Sequence, residues 1–82
     1  MQYLIMCKSL TASQLCRKAL ESIGISATVT KAPQELRSNG CGYSLSVYRD
    51  IDRAITELRS RTLQIGKVYF RQSGGDYREL HI

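Results

Sequence analysis

The residues of this sequence best suited to covalent chemistry are its three cysteines, Cys7, Cys16 and Cys41. Cys41 lies between Gly40 and Gly42, which leave its backbone free to form a tight turn and its sulfur open to a macromolecular donor or acceptor. A β-hairpin in which the glycines form the turn and the cysteine packs at its base explains the same residues equally well. The residues alone leave both interpretations open.

The other two cysteines have different surroundings. Cys16 falls in the apolar stripe of a predicted helix, so we interpret it as a buried core residue. Cys7 ends a predicted strand, where it is either a core residue or, if it lies near Cys41, a second thiol that resolves a disulfide or accepts sulfur. An odd number of cysteines at irregular spacing argues against a secreted disulfide framework.

Several other chemistries lack the residues they need. The single histidine, His81, is next to the C-terminal residue, so no serine, histidine and acid set can be argued. No Cys-x-x-Cys spacing is present, so we expect no metal site. The sequence after the first predicted strand, residues 7–10, is not a glycine-rich phosphate loop. We therefore expect no cofactor.

Composition sets the size and the class of the domain. The chain has 82 residues and a net charge of +5, which favours anionic partners, although the basic residues are scattered. No stretch suits a signal peptide or a membrane span, so we expect a cytoplasmic protein without membrane contact. Residues 1–71 are expected to form one domain. Residues 72–82 form a tail that could add an edge strand through Leu80 and Ile82.

Hydrophobic periodicity predicts four strands and two helices. The first helix is expected to start at Thr11, which has capping-box spacing to Gln14, with Leu10 and Leu15 as a hydrophobic staple. The second is expected to follow Asp50 as N-cap and to end near residue 61. The predicted strands are residues 2–7, 25–30, 41–48 and 65–71, and residues 31–40 are a loop.

The order of these elements predicts an α+β fold. Short connections and right-handed crossovers close it into a ferredoxin-like βαββαβ sandwich, a four-stranded antiparallel sheet with two helices on one face. The first and third strands would be antiparallel neighbours, so Cys7 and Cys41 would share one end of the sheet. The first helix begins at that end, and its unpaired N–H groups would favour a thiolate there.

The stretch from Pro33 to Leu45 resembles the signature of a small bacterial family described as selenium/sulfur carrier protein-like. The matching residues are Pro33, Ser38, Cys41 and Gly42, followed by the apolar alternation, and the resemblance covers residues 2–70. It implies a carrier protein rather than a true enzyme. In that role Cys41 holds sulfur or selenium as a persulfide or perselenide between a donor and an acceptor protein, and Gly42 shapes the loop.

Four residues are expected to bind the sulfur carried by Cys41. They are Ser38, Gly40 and Gly42 of the turn, whose N–H groups can hold a persulfide anion, and Lys8, which supplies positive charge. Cys7 is the expected second thiol.

One rival interpretation is an RNA-binding module of RNA-recognition-motif-like topology. Gly42, Tyr43 and Tyr48 match the third-strand motif of such modules. Cys41 stands where a basic residue is expected and Leu45 where a stacking aromatic is expected. Base stacking would then fall to Tyr43 and Tyr3.

A second rival is a dimeric regulatory or assembly domain without chemistry of its own. In this interpretation Leu4, Met6, Val68 and Phe70 lie on the second face of the sheet and form a homodimer interface. Dimerisation is compatible with the carrier interpretation as well.

Overall fold

A computed structural model of the protein describes residues 2–37, 42–72 and 74–81. Within them the elements are β1 (Gln2–Cys7), α1 (Leu10–Glu21), β2 (Ala27–Lys31), the 3-10 turn η1 (Gln34–Leu36), β3 (Tyr43–Val47), α2 (Ile51–Ser60), β4 (Val68–Arg71) and β5 (Tyr77–Leu80). Neither helix in this part of the chain has the length and apolar content to cross a membrane.

The strands form one antiparallel sheet in the order β2-β3-β1-β4-β5. The predicted α+β class, antiparallel sheet and two helices are confirmed, but the expected count of four strands is wrong, because five are described. Chain reversal between β4 and β5 uses Gly74 and Gly75, whose φ values of 119° and 98° suit glycine. The structure therefore agrees with the predicted ferredoxin-like sandwich only in part.

The core lies between the two helices and one face of the sheet. The inward stripes of α1 and α2 follow the three- and four-residue spacing of an amphipathic helix. Full burial of each large apolar side chain stabilises the fold by about 1.5–3 kcal/mol. The buried core consists of Ile5, Leu45, Val47 and Val68 of the sheet, Ile25, and Cys16, Ala19, Leu20, Ile51, Ala54, Ile55 and Leu58 of the helices.

Helix α1 starts earlier than the sequence predicts. Its N-cap is Ser9, whose Oγ accepts a hydrogen bond from the backbone N–H of Ala12 at 3.0 Å. The expected cap at Thr11 is therefore wrong, because the helix begins as soon as the chain leaves β1. Leu10 and Leu15 are 47% and 51% exposed, so the expected hydrophobic staple is wrong as well.

The N-cap position of α2 is Asp50, as predicted, but its side chain makes no capping hydrogen bond. The residue has φ 56° and ψ 39°, a left-handed conformation in which the carboxylate does not reach the first turn. The helix ends at Ser60, and Glu57 forms an ion pair on the surface with Arg61, one turn later.

The face of the sheet away from the helices is also covered. Leu4 and Met6 lie on it and are each 2% exposed. The connection from β2 to β3 leaves one edge of the sheet, and its Glu35 and Leu36 line a shallow depression together with residues 75–78 beside β5 at the other edge. Because the helices occupy the opposite face, we infer that residues 32–36, in the described part of this connection, cross the sheet over Leu4 and Met6.

The expected homodimer surface is not a single face. Cross-strand register pairs Val68 with Ile5 and Phe70 with Tyr3, which puts Val68 and Phe70 on the helix-covered face. Leu4 and Met6 lie on the other face. The grouping of the four residues is therefore wrong, since side chains of adjacent residues along each strand point to opposite faces.

Candidate functional site

The end of the sheet at which β1 stops brings three strands and a helix start together. Cys7, the last residue of β1, pairs with Tyr43, and Tyr43 pairs with Lys31 of β2. Gly42 precedes Tyr43, and its carbonyl accepts the N–H of Ala32 at 3.0 Å. Helix α1 starts three residues after Cys7. This region, formed by Cys7, Lys31, Gly42 and the start of α1, is named the thiol end here.

Three of the predicted site residues, Ser38, Gly40 and Cys41, lie outside the described residues. The antiparallel pairing of β1 with β3, on which the prediction of a shared end for Cys7 and Cys41 depends, is confirmed. Gly42, which is bonded to Cys41, lies at the thiol end. That Cys7 and Cys41 meet there stays a prediction.

Gly42 does not need the conformational freedom of glycine. A Cβ built on it meets no atom within 4 Å, and its φ is outside the left-handed range in which Gly24 lies, at 80°. The Ala32–Gly42 bond closes a connection that runs from residue 32 to residue 42, far longer than a two-residue hairpin turn. The described backbone therefore weighs against the interpretation in which Gly42 serves a tight turn.

The described thiol that Cys7 contacts is Cys16, a pairing that the sequence interpretation missed. Cys7 and Cys16 are 0% and 1% exposed. A hydrogen bond from Cys7 lowers the pKa of the Cys16 thiol below its ordinary value near 9.0, while burial acts in the opposite direction. Cys7 Sγ also lies 3.6 Å from the Ile5 carbonyl, to which it donates.

A sequence signal for this pair exists. Only Lys8 and Ser9 separate β1 from α1, so the helix folds back over the last residues of the strand. An inward-facing residue near the middle of α1 can then reach the side chain of Cys7. Cys16 has that position in the apolar stripe, and its placement in the core is confirmed.

A cavity of about 350 Å³ opens at the start of α1, lined by Lys8, Ala12, Gln64, Ile65 and Gly66. Lys8 directly follows Cys7, and Ala12 lies one helical turn before Cys16. The first N–H groups of α1 and the exposed Lys8 ammonium give this region a positive potential. An anion such as a persulfide would be favoured there.

Two further chemistries, metal binding and RNA binding, can be compared with the described residues. Among the described residues, no group of three or more His, Cys, Asp or Glu side chains could hold a metal ion. Tyr3 pairs with Val47 across the strands, and Tyr43 pairs with Cys7. Because cross-strand partners share a face, both tyrosines lie on the helix-covered side of the sheet. This position disfavours them as a base-stacking platform, which needs an open sheet face.

Fold and geometry together define a small α+β domain with a buried pair of thiols at one end of its sheet. The family described as "Putative Se/S carrier protein-like" matches residues 2–69, and the chain belongs to this family. The matched region runs from β1 into β4 and includes all three cysteines, while β5 lies outside it. No curated protein and no solved structure matches the chain.

Proposed function

We propose that this protein carries sulfur or selenium on Cys41 and passes it from a donor protein to an acceptor protein. The observation that carries the proposal is the family match over residues 2–69, which includes Cys41. Burial supports the choice of cysteine, because Cys7 and Cys16 are 0% and 1% exposed and cannot meet the reactive group of another protein. Cys41 is the remaining thiol of the three.

The transfer is an exchange between sulfur atoms without net oxidation. The thiolate of Cys41 attacks the outer sulfur of a persulfide on the donor, a new S–S bond forms, and the donor cysteine leaves as a thiolate. The product is a persulfide anion on Cys41. An acceptor thiolate removes the outer sulfur by the same step, and selenium follows the same course as a perselenide.

The surroundings of Gly42 suit this chemistry. A Cβ built on Gly42 would meet no atom within 4 Å, so the described residues do not crowd this position. Lys8, Lys31 and the N-terminus of α1 supply positive charge at the thiol end, which favours thiolate and persulfide anions.

Site-resolved alkylation tests the first requirement. Native protein is treated with iodoacetamide across a pH series, and labelling at each cysteine is followed by mass spectrometry. We expect Cys41 to label fast and Cys7 and Cys16 to stay protected until the protein unfolds. Labelling of Cys41 as slow as that of Cys16 would contradict the proposal.

Sulfur loading tests the second requirement. After brief treatment with inorganic polysulfide and desalting, the wild-type chain should show one added sulfur atom on Cys41, and Cys41→Ser should show none. Cys16→Ala is the matched control, because it removes a buried thiol and should load normally. Equal loading of Cys41→Ser and the wild type would rule out Cys41 as the carrier residue.

A further inference from the structure

Strand β2 is one edge of the sheet, and no described strand pairs with its outer side. Ala32 donates its N–H to the carbonyl of Gly42, so these two residues form a hydrogen-bonded pair of the β2–β3 ladder. Such pairs alternate along an antiparallel ladder, so every second residue of β2 bonds to β3 and the others direct their backbone N–H and C=O groups outward. The outward groups belong to Ala27, Val29 and Lys31.

This edge lacks the features that keep an exposed strand from pairing with another chain. Residues 26–30 contain no charge and no proline, residues 28–30 are β-branched, and β2 pairs with β3 without a bulge. The opposite edge, β5, has Arg78 and Glu79 at its centre. If β5 paired with a second copy about a two-fold axis at either residue, like charges would face each other.

We propose that the protein forms a homodimer in which β2 pairs with β2 of a second copy about a two-fold axis at Val29. The two sheets then join into one antiparallel sheet. Val29 pairs with Val29 of the second copy, and Ala27 pairs with Lys31, so all the outward groups of these three residues are bonded. This inference goes beyond the proposed function, because it does not depend on the chemistry of Cys41.

Side-chain pairing across this axis is self-complementary. Thr28 faces Thr30 of the second copy, and threonine pairs are favourable between strands. Ala27 faces Lys31, so the charged residue of β2 meets a small neutral side chain instead of another charge. The strand pairing therefore opposes no like charges, although each chain has a net charge of +5.

Helix α1 supplies the second layer of this interface. It packs on β2 and β3. At a strand spacing of about 4.8 Å, a helix above the gap between these two strands lies about 5 Å from the axis, and the two α1 helices lie about 10 Å apart. Packed helices are separated by about 8–10 Å, so the two copies of α1 can pack against each other.

The flank of α1 that faces the axis is the one turned away from α2. Ser22 accepts a hydrogen bond from Arg61, at the end of α2, at 2.8 Å, which identifies the flank beside α2. At about 100° per residue, Leu10, Arg17 and Glu21 lie on the other flank. Arg17 and Glu21 form an ion pair, so their charges cancel. Leu10 is 47% exposed in the single chain, and the dimer gives this apolar side chain a surface to pack on.

The dimer also affects the thiol end. A two-fold axis reverses the strand direction, so the thiol ends of the two copies lie at opposite ends of the joined sheet. Lys31 of each thiol end is bordered by Ala27 of the other copy. Each copy can therefore meet its own partner protein at the same time.

Sedimentation equilibrium of the full chain measures the dissociation constant, with a reductant present to exclude cystine-linked dimers. We expect the wild type to dimerise. Val29→Pro removes an outward N–H, at a position where an edge strand tolerates proline, and should raise the dissociation constant roughly tenfold or more. Glu79→Pro makes the same change at the other edge and should leave the dissociation constant unchanged.

A comparison specific for the register keeps the test independent of the folding of Val29→Pro. Thr28→Lys combined with Thr30→Lys places lysines opposite each other and should weaken the dimer roughly tenfold or more. Thr28→Glu combined with Thr30→Lys places glutamate opposite lysine and should dimerise at least as tightly as the wild type. Both double variants lose the same hydrogen bond between Thr30 and Ser44, of 3.1 Å, so they are matched in the fold.

Three outcomes would overturn the proposal. A wild type that stays monomeric up to about 1 mM leaves β2 open for a strand of another protein. A dimer that neither Val29→Pro nor the two-lysine variant weakens has its contact elsewhere. Loss of dimerisation in Cys41→Ser contradicts the placement of the contact at β2. Sulfur loading of Cys41 is measured separately, so a failure of the carrier proposal is distinguishable from a failure of the dimer.

Discussion

Replacing Gly42 with alanine separates a steric role of this residue from a chemical one. A Cβ at this position meets no atom within 4 Å, and the backbone is not left-handed. At such a site Gly→Ala stabilises a protein by about 0.4–1 kcal/mol, because it restricts the unfolded chain. Gly24 is the matched control, since its Cβ would also meet open space but its φ is 80°. Gly24→Ala should therefore cost about 1–2 kcal/mol.

Urea unfolding followed by circular dichroism measures this difference. The two variants should differ by about 1.4–3 kcal/mol in unfolding free energy. With an m-value of about 1–1.5 kcal/mol/M for a small domain, their midpoints should lie at least roughly 1 M apart. If Gly42→Ala loses as much stability as Gly24→Ala, the reasoning from the backbone at Gly42 is refuted.

The same variant then reports on the site. Iodoacetamide labelling of Cys41 is compared between the wild type and Gly42→Ala under conditions where both are folded. Slower labelling with unchanged stability would mean that Gly42 is needed for reaction at Cys41 and not for the fold. Such a result would match what the family resemblance implies for Gly42.

Four further predictions test other parts of the structure. Met6→Ala should lower the unfolding free energy by about 2–5 kcal/mol, because Met6 is 2% exposed; a loss below about 1 kcal/mol in urea unfolding would mean that its face is open. Ser9→Ala should cost about 1 kcal/mol in the same assay and Thr11→Ala close to nothing, and equal costs would contradict the cap at Ser9. Because the folded-state pKa of Cys16 is lowered, the folded protein gives up this proton first; the unfolding free energy of the wild type relative to Cys16→Ala should therefore rise as pH increases towards 9.0, and a flat difference would refute the hydrogen bond. Tyr43→Ala should leave any affinity for single-stranded RNA unchanged in a salt titration, since its side chain is on the helix-covered side; a marked loss would revive the RNA-binding interpretation.

The sequence predicts elements better than it predicts which side chains share a face. The two apolar faces of β1 correctly indicate a central strand. Whether Val68 lies on the face of Leu4 or of Ile5 depends on the cross-strand register. A register that differs by one residue would leave the alternation of apolar and polar residues along each strand unchanged, so the sequence of the strands does not decide it. The cap of α1 shows a similar ambiguity, since Ser9 and Thr11 both have suitable hydroxyl groups. The connection from β1 to α1 has only two residues, and the second of them, Ser9, is the N-cap.

The thiol pair illustrates why burial alone is a poor guide to the function of a cysteine. The inward position of Cys16 predicts a core residue, and Cys16 is indeed buried, yet its neighbour in the core is another thiol. A carrier thiol must be exposed in order to exchange sulfur with other proteins, and at 0% and 1% exposure neither Cys7 nor Cys16 meets this requirement. The proposed carrier role therefore falls to Cys41, although β1 ends beside the strand that follows Cys41 and α1 folds back over that end.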